Sequence, residues 1–270
     1  MPIVAENSLA AFYPEGYTAH VRPPTPLYAS LATGLARWRY ARAFERPPLG
    51  VLRARPAGRL LDVGSGRGDL GVALSRRGWR VVGVEPSERA SVDARSRGLE
   101  VERGTISEVA KRLDPGFDAV VFQHSLEHVT EPLDDLEVAR GLLRERGLLL
   151  VSVPNFDSWQ QRRFGSAWLH LDLPRHRSHF SERGLELLVR RAGFQVQSLD
   201  TSTHLDGLPM SVQYRLLGRR RLVRGALFYA SVGLSLVVAP VSVALNTLAG
   251  AGDVLDLVAV KASGLETLRR

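Results

Sequence analysis

Asp62, Gly64, Gly66, Gly68 and Glu85 are the residues whose types and spacing most directly imply chemistry. The first four belong to LLDVGSGRGDLG at 60–71, an apolar run that ends in an acid and is followed by glycines at every second position. A backbone that turns sharply out of a strand and lies against a ligand cannot always keep φ negative or carry Cβ atoms. Glycines so spaced therefore describe a strand-to-helix loop around a nucleotide-type cofactor. A second apolar run, WRVVGVEPS, ends in Glu85, where the next parallel strand should present a carboxylate to ribose hydroxyls.

The identity of the cofactor turns on Asp69. A dinucleotide fingerprint reads G-x-G-x-x-G, with the third glycine packing a helix whose N-terminus faces a pyrophosphate. Asp69 occupies that third position. An acid there repels a diphosphate but is compatible with S-adenosylmethionine, which has a cationic sulfonium and an ammonium and no phosphate. The loop thus favours that methyl donor over NAD.

With these residues in view, most of the chain resembles the class I S-adenosylmethionine-dependent methyltransferases, and within them the methyltransferase type 23 subgroup. The resemblance runs through FYPEGYTAH near the start, the glycine loop and Glu85, FDAVVFQHSLEHVTEPLDDL, RGLLLVSVPN, FGSAWLHLDLPRHRSHFS and RRAGFQV. It implies that Asp62, Gly64, Ser65, Gly66 and Gly68 hold the methionine and ribose parts of the donor. Glu85 and Pro86 would sit at the ribose hydroxyls, with Thr105, Gln123 and His124 as further contacts. One element departs from the pattern: where related enzymes often place an acid near the adenine amino group, GTIS at 104–107 offers Thr105 and Ile106. Adenine contacts then fall to backbone or to Ser107 and Glu108.

The elements that must position these residues follow a doubly wound α/β pattern of seven mostly parallel strands. Strands are expected at 59–63, 80–84, 99–102, 117–122, 147–152, 194–199 and 254–260, with helices at 30–45, 68–77, 87–96, 132–145 and 181–192. The chain divides into an N-terminal helical cap at 1–55, a donor-binding core at 56–203, an apolar helical segment at 204–252, and a final strand and tail at 253–270. RPPTP at 22–26 and RPPLG at 46–50 are the linker-like stretches. Ligands of such sheets bind beyond the carboxyl ends of the strands, which selects Gln123 to His128 and Pro154 to Asp157. The stretch 155–180 is too rich in Trp, Phe and His for a connector and reads as a lid over the acceptor.

Methyl transfer is an in-line displacement, and positioning alone can supply roughly 7 to 11 kcal/mol of the barrier. A hydroxyl acceptor also needs a base with a pKa near the working pH, which suits histidine. His124, His128, His170, His176 and His179, five of the seven histidines, fall in the two segments expected to face the acceptor. His124, His128 and His179 are the candidates for base or loop-ordering roles. Asn155, Trp168, His170 and His176 are the candidates for acceptor contact.

HSLEH also has the H-x-x-E-H spacing of an inverted zinc-peptidase helix, but it stands at a strand end. Some quinone-pathway and small-RNA methyltransferases bind a divalent ion with an E-x-x-E-H pattern, which this chain matches only in part. Glu127, His128, His124 and His179 are the residues such an ion would use, and the expectation is no metal. Trp159, Phe164, Trp168 and Phe180 either stack on the acceptor or form the lid's own core.

The formal charge of +8 comes almost entirely from arginine. Aromatics are not interleaved with the basic residues as a single-strand binder needs, so nucleic acid is not the expected partner. There is no cysteine, hence no disulfide, and the early polar residues do not read as a signal peptide, giving a cytoplasmic expectation. Residues 225–252 carry no charge and follow Arg215, Arg219, Arg220, Arg221 and Arg224. A full span would separate the last strand from its sheet by a bilayer. The stretch 219–252 is therefore expected to pack internally or to touch the inner face of a membrane. The reading is a methyltransferase acting on an oxygen of a small-molecule, glycan-precursor or lipid-linked acceptor. The alternatives are a quinone or aromatic-ring methyltransferase, or a membrane-associated protein that binds the donor without turnover.

Overall fold

The computed structural model describes residues 48–204, 207–218, 238, 240–249 and 251–262. The expected N-terminal helix at 30–45 and most of the uncharged stretch lie outside them.

One seven-stranded sheet carries the site. In chain order it comprises β1 (Arg59–Val63), β2 (Arg80–Glu85), β3 (Glu100–Arg103), β4 (Phe117–Gln123), β5 (Leu143–Pro154), β6 (Phe194–Ser202) and β7 (Val254–Lys261). Its spatial order is β3-β2-β1-β4-β5-β7-β6. β1 to β5 pair in parallel, and β7 is antiparallel to both β5 and β6. The helices are α1 (Asp69–Ser75), α2 (Glu88–Ser96), α3 (Ile106–Val109), α4 (Pro132–Leu142), α5 (Trp159–Phe164), α6 (Glu182–Arg191) and α7 (Gly207–Leu217). Residues 240–248 are also helical.

The strands are near-continuous apolar runs because both sheet faces are covered. Alternation sends Leu61, Val120 and Leu149 to one face, with Ile106, Leu136 and Leu185 from the helices. Leu60, Val121 and Leu150 go to the other, with Leu70 and Leu74 of α1. All seven expected strands are present. The main departure is the end of α4, expected at 145: the helix stops at Leu142 and β5 begins at once. Arg146, at φ 59°, lies in an irregularity that shifts the register from Phe117↔Leu143 to Ala119↔Leu148.

Strand order reverses between β1 and β4, which opens a crevice at their carboxyl ends. The lid stretch 155–180 packs Phe164 and Trp168 against Leu208 of α7.

Candidate active site

The loop after β1 is built for close approach. Gly64, Gly66 and Gly68 have φ of 74°, 54° and 76°, a region open to glycine at little cost. A Cβ on Gly64 would stand 2.4 Å from Ser125 Cβ, and one on Gly68 would stand 2.2 Å from Leu99 Cδ1. Ser125 also donates from Oγ to the Val63 carbonyl at 2.6 Å, tying the loop after β4 to the end of β1.

Glu85 is 5% exposed and accepts two loop N–H groups, Gly66 to Oε2 and Ser87 to Oε1, each at 2.8 Å. It therefore shapes the glycine loop directly, and each oxygen keeps a second acceptor site for a ribose hydroxyl. Burial raises its pKa, against the lowering effect of the Ser87 and Gly66 N–H groups. Asp62 is wholly enclosed; burial, then the charge of Glu85, pushes its pKa up to about 7.

Among the described residues, Asp62 Oδ2, Ser65 Oγ, Gln123 Oε1 and Glu127 Oε2 are buried without a hydrogen-bond partner. Such orphans are costly, and most of these are acceptors. An ammonium, a sulfonium and ribose hydroxyls supply the charge and donors they lack, so the residues present fit S-adenosylmethionine. Asp69, by contrast, pairs with Arg97 Nη1 at 2.5 Å, which shares out its charge. Its weight against a diphosphate is accordingly less than the sequence argument gave it.

The polar side chains of the GTIS segment and Glu108 make local hydrogen bonds. Thr105 and Glu108 close a capping box on α3: the Thr105 hydroxyl accepts from Glu108 N at 3.3 Å, and Glu108 Oε2 accepts from Thr105 N at 2.7 Å. Ser107 donates to Asp135 at 2.7 Å. Pro86 is exposed at the end of β2.

Beyond β4 the histidines converge. His124 has a left-handed φ of 53°, and its Nδ1 lies 3.7 Å from Glu127 Oε1. His128 Nδ1 bonds the Arg175 carbonyl at 3.1 Å, His176 Nδ1 the His170 carbonyl at 2.7 Å, and His179 Nε2 the Leu171 carbonyl at 3.0 Å. A carbonyl only accepts, so each of these ring nitrogens carries the proton. In the neutral rings the lone pair then sits on Nε2 of His128 and His176 and on Nδ1 of His179. The His128 and His176 rings meet edge to face at 4.7 Å.

A carboxylate oxygen of Glu127 and one ring nitrogen each of His128 and His176 lie within 4.8 Å of one another, a set able to hold a divalent ion. His176 stands where the sequence suggested His124 and His179. Burial raises the Glu127 pKa, but the His124 hydrogen bond and the charges of His128, His176 and His124 outweigh it and hold it at about 2. Burial lowers His176 to about 4, against the opposing charge of Glu127. At neutral pH the cluster is therefore one carboxylate beside a neutral His176.

The acceptor candidates separate. Trp168 is 0% exposed and belongs to the lid core. Asn155 is committed, donating to the Gly252 carbonyl at 2.8 Å and accepting from Asp157 N at 2.9 Å. His170 and His176 are buried, and His170 Nε2 is 3.5 Å from Asp253 Oδ2. Of the other lid aromatics, Phe164 and Phe180 are buried and Trp159 donates to Asn246.

Sequence reasoning missed a second polar cluster. Asp253 accepts from His204 N at 2.9 Å and Asn246 Nδ2 at 3.1 Å. The His204 ring contacts His124 at 5.6 Å and His170 at 5.2 Å. Asp256 accepts from Ser152 Oγ at 2.6 Å. His204 follows a strand's carboxyl end, so the rule that selected Gln123 to His128 would have found it.

The family model for a methyltransferase domain matches residues 31–199, more than half of the chain. A ubiquinone biosynthesis O-methyltransferase from Cereibacter sphaeroides is 32% identical over 146 residues, covering 50% of this chain and 59% of that protein. One from Roseobacter denitrificans is 31% identical over 175 residues, covering 58% and 71%. This chain thus spans about three-fifths of the Cereibacter relatives' length. Among solved structures, a SAM-dependent methyltransferase from Archaeoglobus fulgidus matches with a TM-score of 0.57 at 18% identity, covering 85% of this chain and 94% of that one. The matched stretch, with the glycine loop clamped by Glu85 at the head of the sheet, leads to one conclusion: this chain belongs to the methyltransferase-domain family and takes S-adenosylmethionine as its cofactor.

Proposed function

We propose that this protein transfers the methyl group of S-adenosylmethionine to a hydroxyl oxygen of a small or lipid-linked acceptor, with a quinone-type ring as the acceptor that its relatives' names favour. The observation that carries this reading is the tautomer of His128. Its Nδ1–H is held by the Arg175 carbonyl, which puts the neutral ring's lone pair on Nε2 to take the acceptor proton, at the end of the turn that Ser125 ties to β1. S-adenosylmethionine supplies an electrophilic methyl and leaves as a neutral thioether. The chain's residues orient the donor, exclude water under the lid and accept the hydroxyl proton. His124 and His179 order the same pocket through Glu127 and the Leu171 carbonyl.

An approach from a membrane surface accords with this reading. Among the described residues no helix is long and apolar enough to cross a membrane. Leu216 and Leu248, however, are 76% and 84% exposed, and Val241 and Val243 are exposed as well.

The test is transfer of radiolabelled methyl into an extract of the source cells, comparing wild type with Glu85→Ala. Products are partitioned between organic solvent and water and treated with an ether-cleaving reagent. Organic-phase label released by ether cleavage is the expected result. Label that resists cleavage would point to carbon or nitrogen, and water-soluble label to a sugar or small metabolite.

A further inference from the structure

Four arginines lie in the lid stretch 155–180. Three are engaged: Arg162 donates to the Asp157 carbonyl, Arg163 lies 6.0 Å from the centre of the Phe164 ring, and Arg175 donates from Nε to Asp172 Oδ2 at 2.9 Å. The fourth is Arg177. No ion pair or side-chain hydrogen bond holds its guanidinium among the described residues, and its Nη1 is buried without a partner.

Its place is fixed by the chain. The N–H groups of Arg177 and Ser178 both donate to the Glu127 carbonyl, at 2.8 and 3.1 Å. Arg177 is thereby rooted on the turn that carries Glu127 and His128. Arg175, two residues away, is paired with Asp172, and the buried ionisable groups at this edge of the sheet include the acids Asp62, Glu85, Glu127, Asp253 and Asp256. That set suits a cationic donor and repels an anion. A guanidinium nitrogen removed from water without an acceptor is costly, and its fork matches the two oxygens of a carboxylate or phosphate.

We propose that Arg177 anchors an oxyanion, a carboxylate or phosphate, carried by the methyl acceptor. The inference rests on the reading of the lid as the acceptor's cover and deepens it. The acceptor then carries an acid group in addition to its reacting hydroxyl. Neutral analogues are rejected because they leave the guanidinium unpaired.

The test uses the full chain saturated with S-adenosylhomocysteine and reads anion binding calorimetrically, without turnover. The probes are benzoate, its neutral counterpart benzamide, and inorganic phosphate. Benzoate and phosphate are expected to bind, with benzamide at least about tenfold weaker, as loss of a charge-assisted bidentate pair implies. Arg177→Gln should weaken both oxyanions by about tenfold or more while leaving S-adenosylhomocysteine affinity unchanged and the melting temperature no lower than that of wild type. Arg177→Lys should retain phosphate better than benzoate, since lysine lacks the planar fork. Equal oxyanion binding by wild type and Arg177→Gln would overturn the proposal, as would benzoate binding no tighter than benzamide. Weakened S-adenosylhomocysteine binding in Arg177→Gln would also overturn it, by assigning the guanidinium to the donor's own carboxylate. Failure of methyl transfer would count against the proposed function and leave the anion result standing.

Discussion

Glu85 Oε2 accepts the N–H of Gly66 at 2.8 Å, so the acid that ends β2 holds the loop that follows β1. The same carboxylate that can receive ribose hydroxyls also sets the backbone around them. Glu85→Gln places an amide donor against one of two N–H donors. Charge-assisted hydrogen bonds contribute about 1.5 to 3 kcal/mol each, so donor affinity should fall by about tenfold or more. Calorimetric titration with S-adenosylhomocysteine measures this, and unchanged affinity would remove Glu85 from the donor site.

Asp62 makes donor binding proton-linked. Its pKa is raised from 3.8 to about 7, so between those values the folded protein binds more protons than the unfolded chain. Stability of the donor-free protein therefore declines as pH rises through that window, by roughly 4 kcal/mol in full. A cation bound beside Asp62 favours the carboxylate and expels its proton. Affinity for S-adenosylmethionine should thus rise from about pH 6 to about pH 8, with proton release visible as a buffer-dependent binding enthalpy. Asp62→Asn should abolish the buffer dependence; its persistence would assign the proton elsewhere.

His176 gives the acid side of the stability curve a distinct step. A histidine lowered from 6.5 to about 4 binds fewer protons folded than unfolded, so stability is lost as pH falls through that window, roughly 3 kcal/mol in all. Glu127, lowered from 4.5 to about 2, acts further down: its contribution is present above 4.5 and lost as pH falls towards 2. Denaturant unfolding across pH should show both windows. His176→Gln, which can still donate to the His170 carbonyl, should flatten the upper one and, by removing one of the charges that lower Glu127, shrink but not abolish the lower one.

His128 should matter for turnover more than for donor affinity. Removing a general base costs about 10²- to 10⁴-fold in rate. His128→Gln should show that loss with S-adenosylhomocysteine affinity unchanged. A parallel fall in donor affinity would make His128 an organiser of the pocket.

Chelation should leave methyl transfer intact, because the reading needs Glu127, His128 and His176 only as a proton-handling cluster. Activity lost in a chelator and restored by zinc or magnesium would instead make that trio an ion site, since its ligand atoms lie within 4.8 Å of one another.

Which parts of the site could be read in advance depended on chain connectivity. LLDV, its glycines and Glu85 were legible because strand, turn and ligand contact lie within a few residues, and the run of strands at 59–122 carried the parallel order with it. Trp168 and Asn155 illustrate the opposite case. Their types suit ligand contact, yet neighbours remote in sequence, Leu208 and Gly252, claim them for packing and hydrogen bonding.

Asp253 shows why tertiary structure was needed. Binding residues were sought at the carboxyl ends of strands, but β7 runs antiparallel, so the residue preceding it arrives at the same edge. There it meets Asn155, 98 positions earlier in the numbering, through a 2.9 Å backbone bond. By itself the sequence determined the doubly wound sheet, the donor loop and the candidate histidines, because periodicity and turn chemistry are local properties of the chain. Only the tertiary structure decided which histidine joins Glu127, which tautomers the lid carbonyls impose and which lid arginine has no side-chain partner among the described residues. Those outcomes depend on distances between segments that sequence spacing does not encode.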